Sequence, residues 1–454
     1  MEVKFVSTLK NICKVEELRN RIIVTIFFLL VYRLVSYVPL VGINSREIGY
    51  FIENLNPSPK NIMQVLSSFT GGAFTHASVL ALGIMPYISA SIVIQLMEII
   101  FPSLKREGES GIKKINDLTK WLTIGLCLIQ APAYIAALTT QFLPFSYIPK
   151  AYLLDITSYE VKFVFWLMSI LLLTTGTLFS MWLGENISNK GIGNGISLII
   201  MIGIIVRFPE SIVMEIRNRM EVGNVGLFLL FVEFIIWFFI ILFCIFVRQS
   251  VRKIPLQYVK SIKNYSVSIK PSIRQYIPLS VLTVGVLPII FAHAIMLLPV
   301  ILFPHIRNEE LKKIVDIFQD IYGVWYNIVF VFLIISFTFF YTAITIPVNK
   351  MADDLKKNGA YIPGVKPGQD TIDYIDNILY KITFLGAIFL AIIAVLPAIV
   401  VRIGVTKGFS LFYGGTSLLI IIGVVLDMSQ QINAYLLNIH YDGMMQGKIS
   451  YNKK

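Results

Sequence analysis

The sequence predicts an all-α polytopic membrane protein with ten transmembrane helices, and three observations support this fold class. Of the 454 residues, 56% are hydrophobic and only 15% are charged, whereas soluble domains carry about 25% charged residues. Apolar runs of about 18 residues or more recur along the chain, and such runs match a hydrocarbon core of about 30 Å. Basic residues are concentrated in a few of the loops between the runs, a pattern typical of cytoplasmic loops.

The predicted spans share length and apolar composition, and the fifth is the shortest. They are residues 21–40, 77–101, 118–139, 160–183, 194–208, 225–248, 279–303, 323–346, 378–401 and 412–437. An even number of spans leaves both chain termini on one side of the membrane. The run after the basic amino-terminal segment is too long for a signal-peptide core, so the first span is predicted to be permanent.

The charges of the loops predict the orientation. The segment Arg248–Arg274 contains seven basic residues and no acidic residue, and the segment 103–120 contains five basic residues. By contrast, residues 41–60 are balanced in charge and residues 304–321 are slightly acidic. The positive-inside rule therefore places the basic loops, and with them both termini, in the cytoplasm.

The search for catalytic motifs finds none. The glycine-rich stretch "GIGNGIS" (Gly191 to Ser197) has G-x-G-x-G spacing and precedes a predicted membrane helix, so a dinucleotide site is not expected. The four histidines lack metal-ligand spacing, and the three cysteines (Cys13, Cys127 and Cys244) are too few and too scattered for a disulfide framework. We therefore expect no catalytic residue, no cofactor and no metal site.

Ionisable residues inside spans are functional candidates by default. They are Arg33, Glu98, Glu233, His293 and Asp427. The first three are expected to reach an interface by extending their side chains along the helix. His293 and Asp427 are expected to lie deep, and for His293 a hydrogen-bonded structural role is favoured over catalysis. A proton-coupled transporter usually has more buried carboxylates than this.

Two loops, residues 249–278 and 347–377, are longer than a compact helical bundle needs. One interpretation is a pair of solvated loops that only fix orientation. The other is a docking platform for a large partner with negative charge, which loop length and basic residues favour.

Six stretches of the sequence resemble the SecY family, the central subunits of the bacterial protein-conducting channel. In chain order they are "GGAFTHASVLALGIMPYISASIVIQL", "KREGESGIKKI", "MWLGENISNKGIGNGIS", "FYTAITIP", "ADDLKKNGAYIPGVKPGQDT" and "FYGGTSLLIIIGVVLD". The resemblance covers nearly the whole chain and implies two inverted pseudo-symmetric five-helix halves, residues 1–208 and 209–454, around a central pore. A short plug helix is implied near residues 61–72.

The resemblance also implies a pore ring of six isoleucines. These are Ile84, Ile88, Ile196, Ile200, Ile290 and Ile420. Helical i,i+4 spacing puts Ile84 and Ile88 on one face, which Ser91 and Gln95 continue, and Ile196 and Ile200 repeat that spacing. Taken alone, isoleucines in a membrane helix more often face lipid. For the plug and its hinge the implied residues are Ile62, Val65, Leu66, Phe69, Gly71 and Gly72.

Two further sites follow from the resemblance. The lateral gate, between the second, third, seventh and eighth spans, is implied to use Ser91, Gln95, Gln130, Leu282 and Thr283. Leu282 replaces a frequent asparagine of the family. Docking of the ribosome or a motor ATPase is implied at Arg252, Lys253, Lys356, Lys357 and Lys366, with Arg252 and Lys253 at the tip of their loop.

The implied function is a protein-conducting channel subunit that passes unfolded secretory proteins across the membrane and releases membrane-protein segments laterally. The implied partners are SecE-like and SecG-like small membrane subunits, the SecA motor ATPase, the ribosome with its RNA, signal sequences, nascent chains and the lipid bilayer. The implied location is the bacterial inner membrane. The alternatives are a secondary transporter for a small solute, which needs a polar site at the midplane, and an intramembrane enzyme, which needs a nucleophile with a base or a metal pair.

Overall fold

The computed structural model describes residues 15–41, 70–74, 76–100, 109–137, 159–221, 224–258, 275–282, 285–302 and 320–451. Within this part of the chain the structure is helical except for one small sheet and several turns. Cα packing divides the chain into two compact units. One contains Met1–Arg217 and Ile420–Lys454, and the other contains Asn218–Leu419. The division into inverted halves at residues 208 and 209 stays a prediction.

The helices, in chain order, are α1 (Glu16–Val35), α2 (Met85–Ile100), α3 (Glu109–Ala137), α4 (Tyr159–Lys190), α5 (Gly195–Glu221), α6 (Asn224–Gln249), α7 (Leu287–Leu302), α8 (Val324–Thr345), α9 (Val348–Lys357), α10 (Gln369–Arg402), α11 (Lys407–Ser410) and α12 (Gly415–Tyr451). The strands are β1 (Val251–Tyr258), β2 (Gln275–Ser280) and β3 (Ala360–Tyr361).

Each predicted span overlaps one long helix, and the predicted helical membrane fold is confirmed. Among the described residues, seven helices are long and apolar enough to cross a membrane. The count of ten spans therefore stays a prediction.

Several predicted boundaries differ from the helix ends, and three of them lie near the candidate sites. The second span was expected from residue 77, but residues 76–84 form turns and α2 begins at Met85. Pro86 is therefore in the first helical turn, where its missing N–H removes no intrahelical hydrogen bond. The fifth span was expected to end at residue 208, but α5 continues through Pro209 to Glu221. The seventh was expected from residue 279, but α7 begins at Leu287.

The second unit contains a three-stranded sheet in the order β2–β1–β3, which the sequence analysis did not predict. Strand β1 is antiparallel to both neighbours, with Arg252 opposite Leu279 and Tyr258 opposite Ala360. Ile254 and Leu256 of β1 are buried. They share a small core with three other buried residues, Leu279, Ile362 and Ile375. The sheet therefore joins the bases of the two long loops, residues 249–278 and 347–377.

The turns before α2 belong to the core of the first unit. Residues 38–40 pair with residues 77–79 through two hydrogen bonds, Leu40 N to Ala77 O at 2.9 Å and Val79 N to Val38 O at 2.9 Å. Gly176 of α4 lies directly against this segment, since a Cβ added to it would be 2.1 Å from the carbonyl oxygen of Val79. Only glycine allows this approach.

We predict that Gly176→Ala destabilises the protein by about 1–3 kcal/mol, because the added methyl group forces helix and turn apart. Gly125→Ala is the matched control: Gly125 also lies in a helix, but its added Cβ meets nothing within 4 Å. That control should be neutral or slightly stabilising. Thermal unfolding of the purified protein in detergent measures both variants. Equal unfolding temperatures for the two would contradict the packing described here.

Candidate pore, gate and docking surfaces

One face of α5 carries two of the six isoleucines that were predicted to line the pore. Ile196, Ile200, Gly203 and Arg207 are spaced by four, three and four residues, so they form a single stripe on the helix. Ile200 is buried and Ile196 is partly buried. Ile196 packs closely on Gly184 of α4, where an added Cβ would be 3.0 Å from Ile196 Cγ1.

The glycine-rich motif at residues 191–197 forms the tight turn that starts α5. Asn194 Oδ1 accepts a hydrogen bond from Ile196 N at 3.1 Å, as an N-cap residue does. Gly195 N donates to Ser188 Oγ at 2.9 Å, and Ile192 N donates to Thr25 Oγ1 of α1 at 3.0 Å. The motif is therefore a structural corner that fixes where the isoleucine stripe begins.

The predicted stripe on α2 has the expected spacing. Ile84 is buried immediately before the helix and accepts a hydrogen bond from Ile88 N at 3.0 Å through its carbonyl oxygen. Gln95 Nε2 donates to Ser91 Oγ at 3.2 Å, so the two polar residues are in contact on one face. The stripe changes from apolar to polar along the helix.

The other two predicted pore residues lie on different elements. Ile420 is buried on α12 in the first unit, and Ile290 is partly buried on α7 in the second unit. That these six isoleucines form one ring stays a prediction.

The predicted hinge glycines adopt backbone angles that favour glycine, with φ of +62° at Gly71 and +91° at Gly72. Gly71 packs on Gly203 of the α5 stripe, because an added Cβ would be 2.9 Å from Gly203 Cα. Arg33 Nη1 donates to the carbonyl oxygen of Gly71 at 2.9 Å, and Tyr134 OH donates to that of Phe74 at 2.8 Å. The predicted plug residues Ile62, Val65, Leu66 and Phe69 lie outside the described residues.

Arg33 was expected to extend along its helix to an interface, and that stays a prediction; in the structure its guanidinium bonds to groups of the protein. Its guanidinium also contacts Ser36 Oγ at 3.2 Å and Tyr37 OH at 2.6 Å. A guanidinium with several donors in a fixed plane suits this role better than an ammonium group would. Arg33 holds the turn at Gly71 in place.

Glu233 was also expected to reach an interface, and this expectation is wrong. Its carboxylate is buried and forms an ion pair with Arg219, at the end of α5. Arg219 Nη2 also donates to the carbonyl oxygen of Gly404 at 2.9 Å, and Tyr413 OH donates to the backbone carbonyl of Glu233 at 2.9 Å. A buried carboxylate is costly unless it is paired and hydrogen-bonded, and the pair with Arg219 meets that requirement.

The remaining ionisable residues differ in their surroundings. The hydroxyl of Tyr326 lies 3.4 Å from His293 Nδ1, and the His293 ring lies 4.4 Å from the ring of Phe330. These contacts with α8 support the structural role for His293. Asp427, which the sequence placed deep in a span, has an exposed side chain on α12. The side chain of Glu98 lies outside the described part of the chain.

The gate prediction required Leu282 to lie on the seventh membrane helix, and this is wrong, because α7 begins at Leu287. Leu282 is buried in the turn before α7, beside Gly386 of α10, and its carbonyl oxygen accepts a hydrogen bond from Arg248 Nη1 at 2.9 Å. Gln130 is partly buried on α3. Thr283 lies outside the described residues.

Arg252 and Lys253 lie in strand β1, immediately after α6, and not at the tip of a loop. Both are exposed, and they point to opposite faces of the strand because side chains alternate along it. Lys253 Nζ lies 4.7 Å from the ring centroid of Tyr276 on the neighbouring strand, a cation–π distance. The two charges thus belong to a rigid sheet.

The second predicted docking segment is folded and has mixed charge. Lys356 and Lys357 are exposed in the last turn of α9, and Lys366 is exposed in the turn before α10. Between residues 347 and 377 four lysines are accompanied by five aspartates. Of the two long loops, only the sequence segment 248–274 therefore carries a net positive charge.

Comparisons with known proteins agree on one family. The SecY family model matches residues 78–429. The protein translocase subunit SecY of Chlamydia muridarum is 37% identical over 453 residues, which cover 97% of this chain and 98% of that protein.

Two solved structures share the fold. A protein-conducting channel superposes with a TM-score of 0.60 at 17% identity, covering 92% of each chain. Canine Sec61, in a ribosome–channel complex from the endoplasmic reticulum, superposes with a TM-score of 0.57 at 16% identity, again over 92% of each chain.

Proposed function

This chain belongs to the SecY family, and from that premise we propose that it is the channel subunit through which unfolded polypeptides cross a membrane and from which apolar segments enter the lipid. It is a multi-pass membrane protein. The observation that carries the proposal is the apolar stripe on α5, where Ile196 and Ile200 are followed by the Gly203 contact with the Gly71 turn. Relatives named translocase subunits give no support to a small-solute transporter.

The proposed pore ring of six isoleucines, Ile84, Ile88, Ile196, Ile200, Ile290 and Ile420, is called the collar below. It explains how one pore can seal against ions and still accept a polypeptide of any sequence. Apolar side chains around a narrow opening are poorly wetted, so ions meet a desolvation barrier. The same side chains make no hydrogen bond or charge contact that depends on the sequence of a passing chain. The collar acts by excluding water.

The turn at Gly71 and Gly72 supports a hinge at the base of a plug. Its backbone is held by Arg33 and packs on α5 one helical turn beyond Ile200. A hinge at this place would put the preceding segment over one end of the collar.

The three-stranded sheet supports the docking of a large partner that supplies the polypeptide, on the cytoplasmic side. Sec61 in the canine structure is part of a ribosome complex, and we propose a ribosome or a SecA-like motor ATPase as the partner here. Arg252 and Lys253 would meet phosphate or carboxylate groups. The segment with Lys356, Lys357 and Lys366 contributes less net charge because of its aspartates.

The remaining partners are proposed from the family. SecE-like and SecG-like subunits would cover apolar helix surface. Among the seven apolar spans of the described chain, α6 has the smallest buried share, 6% of its apolar stretch. We propose the bacterial inner membrane as the location, with both termini in the cytoplasm. We assign the chain no catalytic activity, because its relatives are named as translocase subunits.

We predict that serine at four collar positions, Ile84, Ile88, Ile196 and Ile290, makes the resting channel conduct ions. Each hydroxyl group holds water in a surface that was poorly wetted, so the barrier to ions falls. Transport of clients should continue. Single-channel recording of the reconstituted complex in planar bilayers measures the conductance.

A matched variant carries serine at four exposed isoleucines, Ile26, Ile129, Ile235 and Ile392. It should stay closed, since lipid-facing positions do not contact the pore. A closed baseline in the collar variant, with normal unfolding temperature, would remove these residues from the pore and refute the proposed channel.

We also predict that replacing Arg252 and Lys253 by glutamate weakens binding of ribosomes and of the motor ATPase about tenfold or more, since each exposed ion pair contributes up to about 1 kcal/mol. Binding to the unaltered protein should weaken with added salt. Co-sedimentation with reconstituted vesicles measures both effects. Glutamate at Arg217 and Arg402, two exposed residues at the far ends of α5 and α10, is the charge-matched control. Equal affinities for the two double variants would exclude this docking surface.

A further inference from the structure

The corner between α4 and α5 is bonded to α12, far away in the sequence. Gly193 N donates a hydrogen bond to Gln431 Oε1 at 2.8 Å. Gly193 has φ of +84°, and an added Cβ would be 3.2 Å from Met428 Cγ of the same helix. The close approach and the backbone angle together explain why glycine stands at this position.

Each partner of this hydrogen bond lies on, or next to, a helix that carries predicted collar residues. Gly193 lies three residues before Ile196 in the corner that starts α5. Gln431 and Ile420 are eleven residues apart on α12, which is close to three full turns, so they share one face of the helix. The hydrogen bond therefore joins the two helices that carry Ile196, Ile200 and Ile420.

Other contacts fix the corner to the neighbouring helices. Its backbone is bonded to Thr25 of α1 and to Ser188 of α4. The Arg21 guanidinium of α1 lies 5.2 Å from the ring centroid of Tyr435, one turn beyond Gln431 on α12. Because α1, α4 and α5 are tied together at this corner, the bond to Gln431 fixes α12 against all three.

We propose that Gln431 is a positioning residue for the collar and sets the axial register of α12 against α5. This inference rests on the proposed channel function. A slide of α12 by one residue corresponds to about 1.5 Å, which would shift Ile420 along its helix axis relative to Ile196 and Ile200. The amide oxygen of Gln431 opposes this slide, although its side chain is exposed and far from the collar.

The test compares three variants of the reconstituted channel by resting ion conductance. Gln431→Leu removes the acceptor and should raise the leak about five- to tenfold, the factor that corresponds to one net hydrogen bond. Gln431→Glu keeps an oxygen acceptor for Gly193 N and should stay as tight as the unaltered protein. Gln430→Leu makes the same change at the adjacent exposed residue, on a different side of the helix, and should also stay tight.

A second readout follows the register itself. Spin labels at Ile205→Cys of α5 and Val425→Cys of α12, both exposed positions, report the distance between the helices after the native cysteines are replaced by alanine. Gln431→Leu should broaden the distance distribution, whereas Gln431→Glu and Gln430→Leu should leave it narrow. A general loss of folding would broaden it in step with a lowered unfolding temperature, which the same samples report.

Gln431→Leu that neither leaks nor broadens the distance would overturn the proposal, as would equal leaks in Gln431→Glu or Gln430→Leu. The serine collar variant separates this failure from failure of the channel function. A leaking collar variant beside a tight Gln431→Leu variant refutes the positioning role alone. Closed baselines in both refute the two proposals together.

Discussion

The structure depends on one constraint: an irregular backbone among membrane helices must find its hydrogen-bond partners within the protein. Residues 70–74 and 76–84 are not helical, yet they lie between helices of the first unit. Arg33 and Tyr134 bond to the carbonyl oxygens of Gly71 and Phe74, and two strand-like hydrogen bonds pair Leu40 with Ala77 and Val79 with Val38. The position of α2, and with it that of Ile84 and Ile88, follows from these bonds.

The same constraint explains the polar side chains that lie inside the second unit. The pair of Arg219 and Glu233 joins the end of α5 to α6, and the bond to Gly404 extends the link to the turn after α10. Trp237 Nε1 adds a bond to the carbonyl oxygen of Phe412 at 2.9 Å. Breaking one member of such a pair leaves a buried charge alone, which usually costs several kcal/mol. These contacts fix the end of α5 and the turns near Gly404 and Phe412 to α6.

The sequence predicted the long helices well and the connections between them poorly. The eighth span was expected at 323–346 and the helix runs from Val324 to Thr345, because Gly323 and Pro347 stop it at both ends. The sheet was missed because β1 contains Pro255 and only two buried apolar residues, and its partners are distant in the sequence.

In the candidate sites, too, contacts between residues close in sequence were predictable and contacts between distant residues were not. The i,i+4 spacing of Ser91 and Gln95 was enough to predict that they share a face, since helical geometry is local. The partner of Glu233 was not predictable, because Arg219 lay in a segment expected to be an external loop. The bond from Arg33 was not predictable for a similar reason: its acceptor, Gly71, is 38 residues away. The motif at residues 191–197 could have been identified as a corner from its alternating glycines before an apolar helix.

The small sheet has a mechanical consequence. Strand β1 continues α6, and β3 lies between α9 and α10, so a load applied near either strand is shared by elements that are far apart in the chain. The strands run antiparallel, and a pull along one of them strains several ladder hydrogen bonds at once, so the joint resists shear. A force applied to one of these segments is therefore transmitted to α6 and α10 together.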